Sequence, residues 1–362
     1  MGNRHFKLGV FMPVGNNGWI LSKTAPQYMP TFALNRDIAQ LAEKIGFDYV
    51  FSMAKWSGYG GETEFWDYSA ESFAMMAGLA PVTTNLRLVA SVAPILIHPA
   101  ILAKMAATLD DISGGRLGVN VVSSDTEYTR MGLYPDDFES YRHAYIDEWL
   151  TVVKQLWSGE PVDFDGEYFK LSGYMSKPRP LQRPNPTIVY ATNSEGGFKF
   201  VADQCDEAFI QCTPGKNENS KRLKALAGER GRTIKTQAHA TLILGESDAD
   251  ADRIVEHIRE GADYEAIANV YDHKYQGDRV ARGKEIVEKS YPRALIYHAF
   301  PLIGGPERVA DFIEDMAVNG DFDGMLYSFP DFIDGLTRFD DLVMPLLEKR
   351  GLRTTSSLRS TP

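Results

Sequence analysis

Short apolar runs alternate with amphipathic stretches along most of the chain. Lys7–Val14 is apolar and bounded by Gly and Pro, and it reads as a buried strand. Phe32–Lys44 carries Leu34, Ile38, Leu41 and Ala42 at helical spacing, and Gly46 just beyond supplies a C-cap. Asp48–Ser52 returns to strand, Ser69–Val82 to an Ala- and Met-rich helix, and Leu86–Ala93 to strand again. Pro99–Asp111, with proline in its first turn, predicts a helix, and Gly114-Gly115 turns the chain into a strand over Leu117–Val122. A repeat of about forty residues per strand–helix pair signals a parallel sheet with crossover helices.

The second half keeps the rhythm with two interruptions. Glu139–Trp157 is a long amphipathic helix, after which Ser158–Pro186 carries five prolines (161, 178, 180, 184, 186) and reads as a hairpin-like excursion. Thr187–Thr192, Glu207–Gln211 and Gln237–Leu244 are strands, with helices opening at Ser194 and near Asn219–Arg230. Asp248–Tyr291 is charged, helical in pattern and longer than one crossover needs. Pro306–Val318 is a helix, Gly324–Phe329 a strand and Phe332–Lys349 a closing helix. Eight strand–helix pairs predict an α/β chain folded as one TIM-like (β/α)8 barrel over residues 1–350, with insertions near 158–186 and 250–300. Residues 351–362 are expected to form a flexible tail.

Composition narrows the function classes. The 362 residues are 44% hydrophobic, enough for a large core, and 38 basic against 49 acidic residues give a net charge of -11. That field repels phosphate, so unaided binding to nucleic acid or an anionic membrane is not expected. Cys205 and Cys212 have no partner at metal-ligand spacing and predict neither a zinc site nor a redox pair. Sparse cysteine, no secretory apolar region and no bilayer-length apolar run predict a cytoplasmic protein.

Candidate chemistry sits at the carboxyl ends of the predicted strands, where barrels of this kind keep it. Ser194-Glu195-Gly196-Gly197 follows a strand and opens a helix. It reads either as an N-cap before a flexible turn or as a cradle for a phosphate on free backbone N–H groups. Arg142, on the long helix before it, is a candidate counter-charge or a solvated helix arginine. Asn120 interrupts the apolar strand Gly118–Val122, and Ser91 interrupts Val89–Val92 in the same way. Each must find hydrogen-bond partners, from neighbouring backbone or from a ligand. Glu127, in the loop beyond Asn120, is a solvated carboxylate or a group that binds a ring N–H or moves a proton. Lys55, just past a strand, is a surface lysine or the partner of an anionic ligand, and His98 starts a helix. No Ser-His-Asp order or metal cluster stands out among the seven histidines. A barrel with so little acid–base machinery borrows its chemistry from a cofactor.

The loop blocks Gly15-Asn16-Asn17-Gly18-Trp19, Ala25–Phe32, Ser52-Met53-Ala54-Lys55 and Gly60–Asp67 are distinctive, as are Met105–Thr108 and Ile112–Arg116. On these blocks the chain resembles the bacterial-luciferase-like flavin-dependent monooxygenases, most of all the pyrimidine oxygenases among them. The resemblance covers nearly the whole chain and is densest over Lys7–Gly118. It implies a barrel that uses FMN, reduced by a separate flavin reductase drawing on NADH or NADPH, together with O2. It also implies a homodimer or tetramer and a small N-heterocyclic substrate, a pyrimidine or a relative such as pyridine.

Carried over by motif, Ala54 and Lys55 lie along the flavin, and Asn120 and Glu127 contact flavin, oxygen or substrate. Ser91 helps position O2, Ser194 binds the FMN phosphate, and Arg142 stands nearby. His143 follows the arginine where the pyrimidine enzymes have Tyr, and Val122-Ser123-Ser124-Asp125 replaces their Thr-Gly-Trp. Losing that tryptophan changes which ring can stack there. Other readings are oxidation of a small sulfur compound such as a sulfone or alkanesulfonate, or flavin binding without oxygenase activity.

Overall fold

The computed structural model describes residues 5–123, 127–133, 135, 137–212 and 218–354, with residues 127 and 129 described at the backbone only. The first half runs β1 (Lys7–Phe11), α1 (Phe32–Ile45), β2 (Tyr49–Phe51), α2 (Ser72–Leu79), β3 (Arg87–Val92), α3 (Pro99–Ile112), β4 (Leu117–Val121), α4 (Glu127–Arg130) and α5 (Phe138–Leu156). A two-stranded antiparallel hairpin follows, β5 (Val162–Asp165) with β6 (Lys170–Tyr174). Then come β7 (Thr187–Ala191), α6 (Glu195–Gln204), β8 (Glu207–Phe209), α7 (Glu218–Gly228) and β9 (Lys235–Leu244). Three helices, α8 (Asp248–Glu260), α9 (Tyr264–Tyr271) and α10 (Arg279–Ser290), precede β10 (Phe300–Gly304). The chain closes with α11 (Pro306–Val318), β11 (Gly324–Ser328), α12 (Phe332–Arg338), one π-helical turn and α13 (Met344–Lys349).

The eight strands expected from the repeat close into a ring. Going round it, β1, β2, β3, β4, β7, β8, β9 and β11 pair in parallel, and β11 returns to β1. Two apolar layers result. The larger packs helices such as α1, through Ile38, Ala42 and Ile45, onto the outer faces of the strands. The smaller fills the barrel itself, with Tyr49, Phe51, Val89, Val189, Phe209 and Leu326 pointing inward from five strands. Gly9 is required by this filling: a Cβ there would stand 2.1 Å from the Tyr49 ring.

Strand alternation then fixes what lies above and below that inner layer. Toward the amino ends, Arg87 and Glu207 project inward and form a two-pronged ion pair at 2.7 and 2.6 Å, with Gln237 Nε2 donating to Glu207 at 2.5 Å. Toward the carboxyl ends, the same alternation brings Ser91, Asn120 and His239 to the barrel mouth.

Helix ends follow their sequence cues. Thr31 caps α1 by accepting from Leu34 N, and Gly46 ends it at φ 92°. His98 caps α3, its Nδ1 accepting from Ala100 N at 3.2 Å, which settles it as a helix-start residue.

Three details differ from the sequence reading. The strand β10 was not expected; it extends the far end of β9, pairing Phe300–Gly304 with Ala240–Leu244 outside the ring. The helix expected from Ser69 begins at Ser72, because Glu71 turns its carboxylate onto Phe73 N and Ala74 N and caps it there. At the start of the expected tail, Leu352 and Arg353 are buried, and Arg353 Nη1 donates to Phe6 O at 2.8 Å and to Asp48 at 2.6 Å. Residues 355–362 lie outside the described residues. Among the described residues no helix is long and apolar enough to cross a membrane.

Candidate functional site

A cavity of about 380 Å³ opens at the carboxyl ends of the barrel strands. Phe11, Phe51, Phe209 and Leu326, from the top of the inner core, make its floor, and Trp19, Trp66 and Tyr297 make one wall. The wall is built by loops that clamp one another. Trp66 Nε1 donates to Gly18 O at 2.5 Å, and the Trp66 and Tyr297 ring centroids are 4.2 Å apart. Asp263, fully buried, accepts from Thr63 N at 2.7 Å and Thr63 Oγ1 at 2.8 Å, fastening the loop before Trp66 to the start of α9.

Four of the residues singled out in the sequence line this cavity together: Ala54, Lys55, Ser91 and Asn120. Lys55 is buried, with Nζ 4.6 Å from the centre of the Tyr59 ring. Ser91 Oγ donates to Ser52 O at 2.5 Å, so toward Asn120 it can only accept. Asn120 Nδ2 supplies that hydrogen at 2.9 Å, which turns Oδ1 the other way. Oδ1 is buried and has no hydrogen-bond partner among the described residues. A buried amide oxygen left open costs stability, and in a cavity wall it is a docking point for an N–H donor.

The other group gathers around the N-terminus of α6, reached from the cavity through Ala191 at the end of β7. Ser194 is the N-cap, its Oγ accepting from Gly197 N at 3.1 Å, while its own N–H donates to Thr192 Oγ1 at 3.2 Å. The capping alternative is therefore realised, and it leaves the N–H groups of the first turn facing outward for an anion. Gly196 keeps that approach open: a Cβ there would come within 3.7 Å of His143 Nε2. Burial and the neighbouring Arg142 charge both lower the His143 pKa, so its imidazole is neutral at pH 7. Arg142 pairs with Glu139 at 2.6 Å along α5, and its charge also reaches the Tyr190 hydroxyl on β7. Arg142, His143 and Ser194 thus share one corner. Glu127 starts α4, and its side chain lies outside the described residues.

The sequence reading missed His239, Trp19, Trp66, Tyr297 and His298 as wall residues. His239 carried a usable signal, a polar residue inside an apolar strand, as at Ser91 and Asn120. Its imidazole is half-buried, and burial pushes its pKa down to about 3. His298 sits at φ 43°, a strained backbone at the cavity rim. A wider polar cleft, lined by Lys55, Tyr59, Arg130, Asn269 and Arg279, adjoins the cavity at Lys55. The two cysteines are buried and are not among the lining residues, with their thiols pushed well up in pKa, Cys212 to about 12. Among the described residues no group of His, Cys, Asp and Glu could hold a metal ion.

Comparison with known proteins bears on this arrangement. A family model described as luciferase-like monooxygenase matches residues 6–322. The pyrimidine monooxygenase RutA of Cronobacter turicensis is 38% identical over 365 residues, covering 97% of this chain and 95% of that protein. The RutA of Acinetobacter baylyi is 36% identical, covering 95% of each. Among solved structures, the riboflavin lyase RcaE with modified FMN and riboflavin superposes with a TM-score of 0.84 at 22% identity, covering 98% of this chain and 93% of that one. DmoA from Hyphomicrobium sulfonivorans gives 0.82 at 22% identity, covering 98% and 91%. These likenesses show the same fold.

Proposed function

This chain belongs to the luciferase-like monooxygenase family and is a flavin-dependent monooxygenase, and on that premise we propose that it uses reduced FMN and O2 to cleave a pyrimidine or related small N-heterocycle oxidatively. The observation that carries the reading is the cavity at the barrel mouth, where one buried acceptor, Asn120 Oδ1, has no hydrogen-bond partner among the described residues and faces aromatic walls. That atom suits a ring N–H, whether of a flavin or of a heterocyclic amide. The near full-length likeness to pyrimidine monooxygenases favours the same substrate class.

The residues present fit FMN. The cavity is lined by aromatic and other apolar side chains that suit a ring system, and the open first turn of α6 with Gly196 would make a cradle for a phosphate. Ala54 and Lys55 would flank the ring, while Ser194, Arg142 and His143 would hold the phosphate end. When bound, reduced FMN would supply the electrons that activate O2. The chain's own part is positioning. Ser91 fixes the Asn120 amide, whose oxygen would meet the ligand, and the buried Lys55 would offer a positive charge to a reduced, anionic ring. Glu127, at the start of α4, would handle a proton in this reading. Trp19, Trp66 and Tyr297 shed water from the reacting face. A separate NADH- or NADPH-dependent reductase would deliver the reduced flavin.

The test is aerobic turnover with FMN, NADH and a flavin reductase against uracil, thymine, pyridine and dimethyl sulfone, under oxygen-18-labelled O2. A labelled, ring-opened product from a heterocycle is expected. A labelled sulfur product instead would move the substrate class, and peroxide release with no product would refute the oxygenase reading for all four.

A further inference from the structure

His239 lies on β9 with its ring in the cavity wall, edge-on to Phe11 at 4.9 Å and Trp19 at 5.8 Å. Its Nε2 is 3.1 Å from Ser328 Oγ, and Ser328 Oγ is 2.7 Å from Thr241 Oγ1. Thr241 and Ser328 face each other across the β9–β11 pair and are both fully buried. No other hydrogen bond is formed by either hydroxyl or by His239 Nδ1 among the described residues.

Two hydroxyl hydrogens must be placed along this row of three atoms. If Nε2 carried the imidazole hydrogen and gave it to Ser328, one of the hydroxyls would be left with no acceptor. Only one order uses both: Thr241 donates to Ser328, and Ser328 donates to Nε2. A buried hydroxyl is costly to leave unmade, so this order prevails. The imidazole hydrogen then sits on Nδ1, the nitrogen without a protein partner. The low pKa imposed by burial keeps the ring in that neutral state at working pH.

We infer that His239 is locked as its Nδ1–H tautomer and donates that hydrogen to a ring carbonyl of the substrate, so that it and Asn120 Oδ1 select a cyclic amide. The inference rests on the heterocycle reading above. A ring bearing an N–H and a C=O meets an acceptor in Asn120 and a donor in His239, with aromatic walls between. A sulfone offers acceptors alone and leaves Asn120 Oδ1 unsatisfied.

The test reads the tautomer directly. In protein labelled with ¹⁵N-histidine, long-range ¹H–¹⁵N spectra distinguish a protonated from a bare ring nitrogen, and His239→Leu identifies the resonance that belongs to this residue. A protonated Nδ1 and a bare Nε2 are expected, with the two tautomers mixing in Ser328→Ala. In the FMN-loaded enzyme, uracil should move the Hδ1 signal downfield. KM for uracil should rise at least tenfold in His239→Leu and recover in His239→Asn, whose amide N–H stands near the Nδ1 position. A protonated Nε2 overturns the inference, as does uracil turnover with an unmoved Hδ1 signal. If the wild type turns over no heterocycle, the substrate reading falls first, and the carbonyl partner proposed here falls with it.

Discussion

Replacing Glu207 by Gln tests whether the barrel keeps stability at one end and chemistry at the other. The Glu207 carboxylate is buried beneath the inner core, with Arg87 at 2.7 and 2.6 Å and Lys7 at 3.6 Å. Burial alone would raise its pKa, but the Arg87 charge and its hydrogen bonds, helped by Lys7, outweigh burial and hold it at about 2, against an ordinary 4.5. A depression of about 2.5 pH units is worth about 3 kcal/mol. The independent expectation for breaking a buried pair, about 3–5 kcal/mol, agrees with it. Because the folded pKa is depressed, this stabilisation is complete above about pH 4.5 and is lost as pH falls through about 2, with roughly half left at pH 3. Unfolding entropy of about 2.1 cal/mol/K per residue converts 3 kcal/mol into a fall in Tm of about 4 °C for a chain of this length. Thermal unfolding followed by circular dichroism at pH 7 and pH 3 should show that fall at pH 7 and about half of it at pH 3. KM for FMN should not change, since Glu207 stands at the end of the barrel away from the cavity. A variant as stable as the wild type at pH 7, or an equal deficit at both pH values, would refute the reasoning.

Other substitutions address the mouth. Asn120→Ala and Glu127→Gln should each abolish product formation while circular dichroism and Tm stay within a few degrees of wild type; normal turnover in either removes that residue from the reaction. Ser194→Ala should weaken FMN binding by about 1–3 kcal/mol and cost about 1 kcal/mol of stability through the lost cap, read by flavin titration and Tm. In Gly196→Ala, the new methyl meets His143 at an ordinary contact distance, so the fold should hold while FMN affinity drops at least tenfold. Unchanged titration would place the phosphate elsewhere.

The barrel was legible because strands buried on both faces read as largely apolar runs, as in Lys7–Phe11, Tyr49–Phe51 and Thr187–Ala191, recurring at a regular spacing. The strand β10 escaped for the opposite reason. Phe300-Pro301-Leu302-Ile303-Gly304 holds a proline and ends in glycine, and it lies outside the ring where such residues are tolerated. Ser91 and Asn120 were visible as polar breaks in apolar strands, yet only the structure shows that one orients the other. At Ser194 the two readings from sequence were offered as alternatives, and the geometry makes them compatible: the hydroxyl caps Gly197 N, and the first turn stays open beside it. Trp19 and Trp66 sat in loop blocks already marked as unusual, but nothing local says that both face one cavity. Tyr297 and His298 had no periodic signal at all, because tertiary packing alone brings the segment after α10 over the mouth.

That last segment bears on how the site divides its labour. The first half of the chain supplies Ala54, Lys55, Ser91 and Asn120, and the second half supplies His239, Tyr297 and His298. The halves meet where the Tyr59 and Tyr297 hydroxyls hydrogen-bond at 2.7 Å and where Tyr297 packs on Trp66. Trp19, Trp66 and Tyr297 present aromatic faces to the cavity where the halves meet. In the proposed reading the flavin would lie against the first half, and the substrate ring would sit between Asn120 of the first half and His239 of the second. In that reading cofactor use would follow the family, and substrate choice would be set by Asn120 together with residues beyond Lys170. Substitutions at Tyr297 should accordingly change which heterocycle is preferred more than they change FMN affinity, whereas Asn120→Ala, which removes the acceptor proposed for the ring N–H, should cost turnover of every heterocycle bearing an N–H.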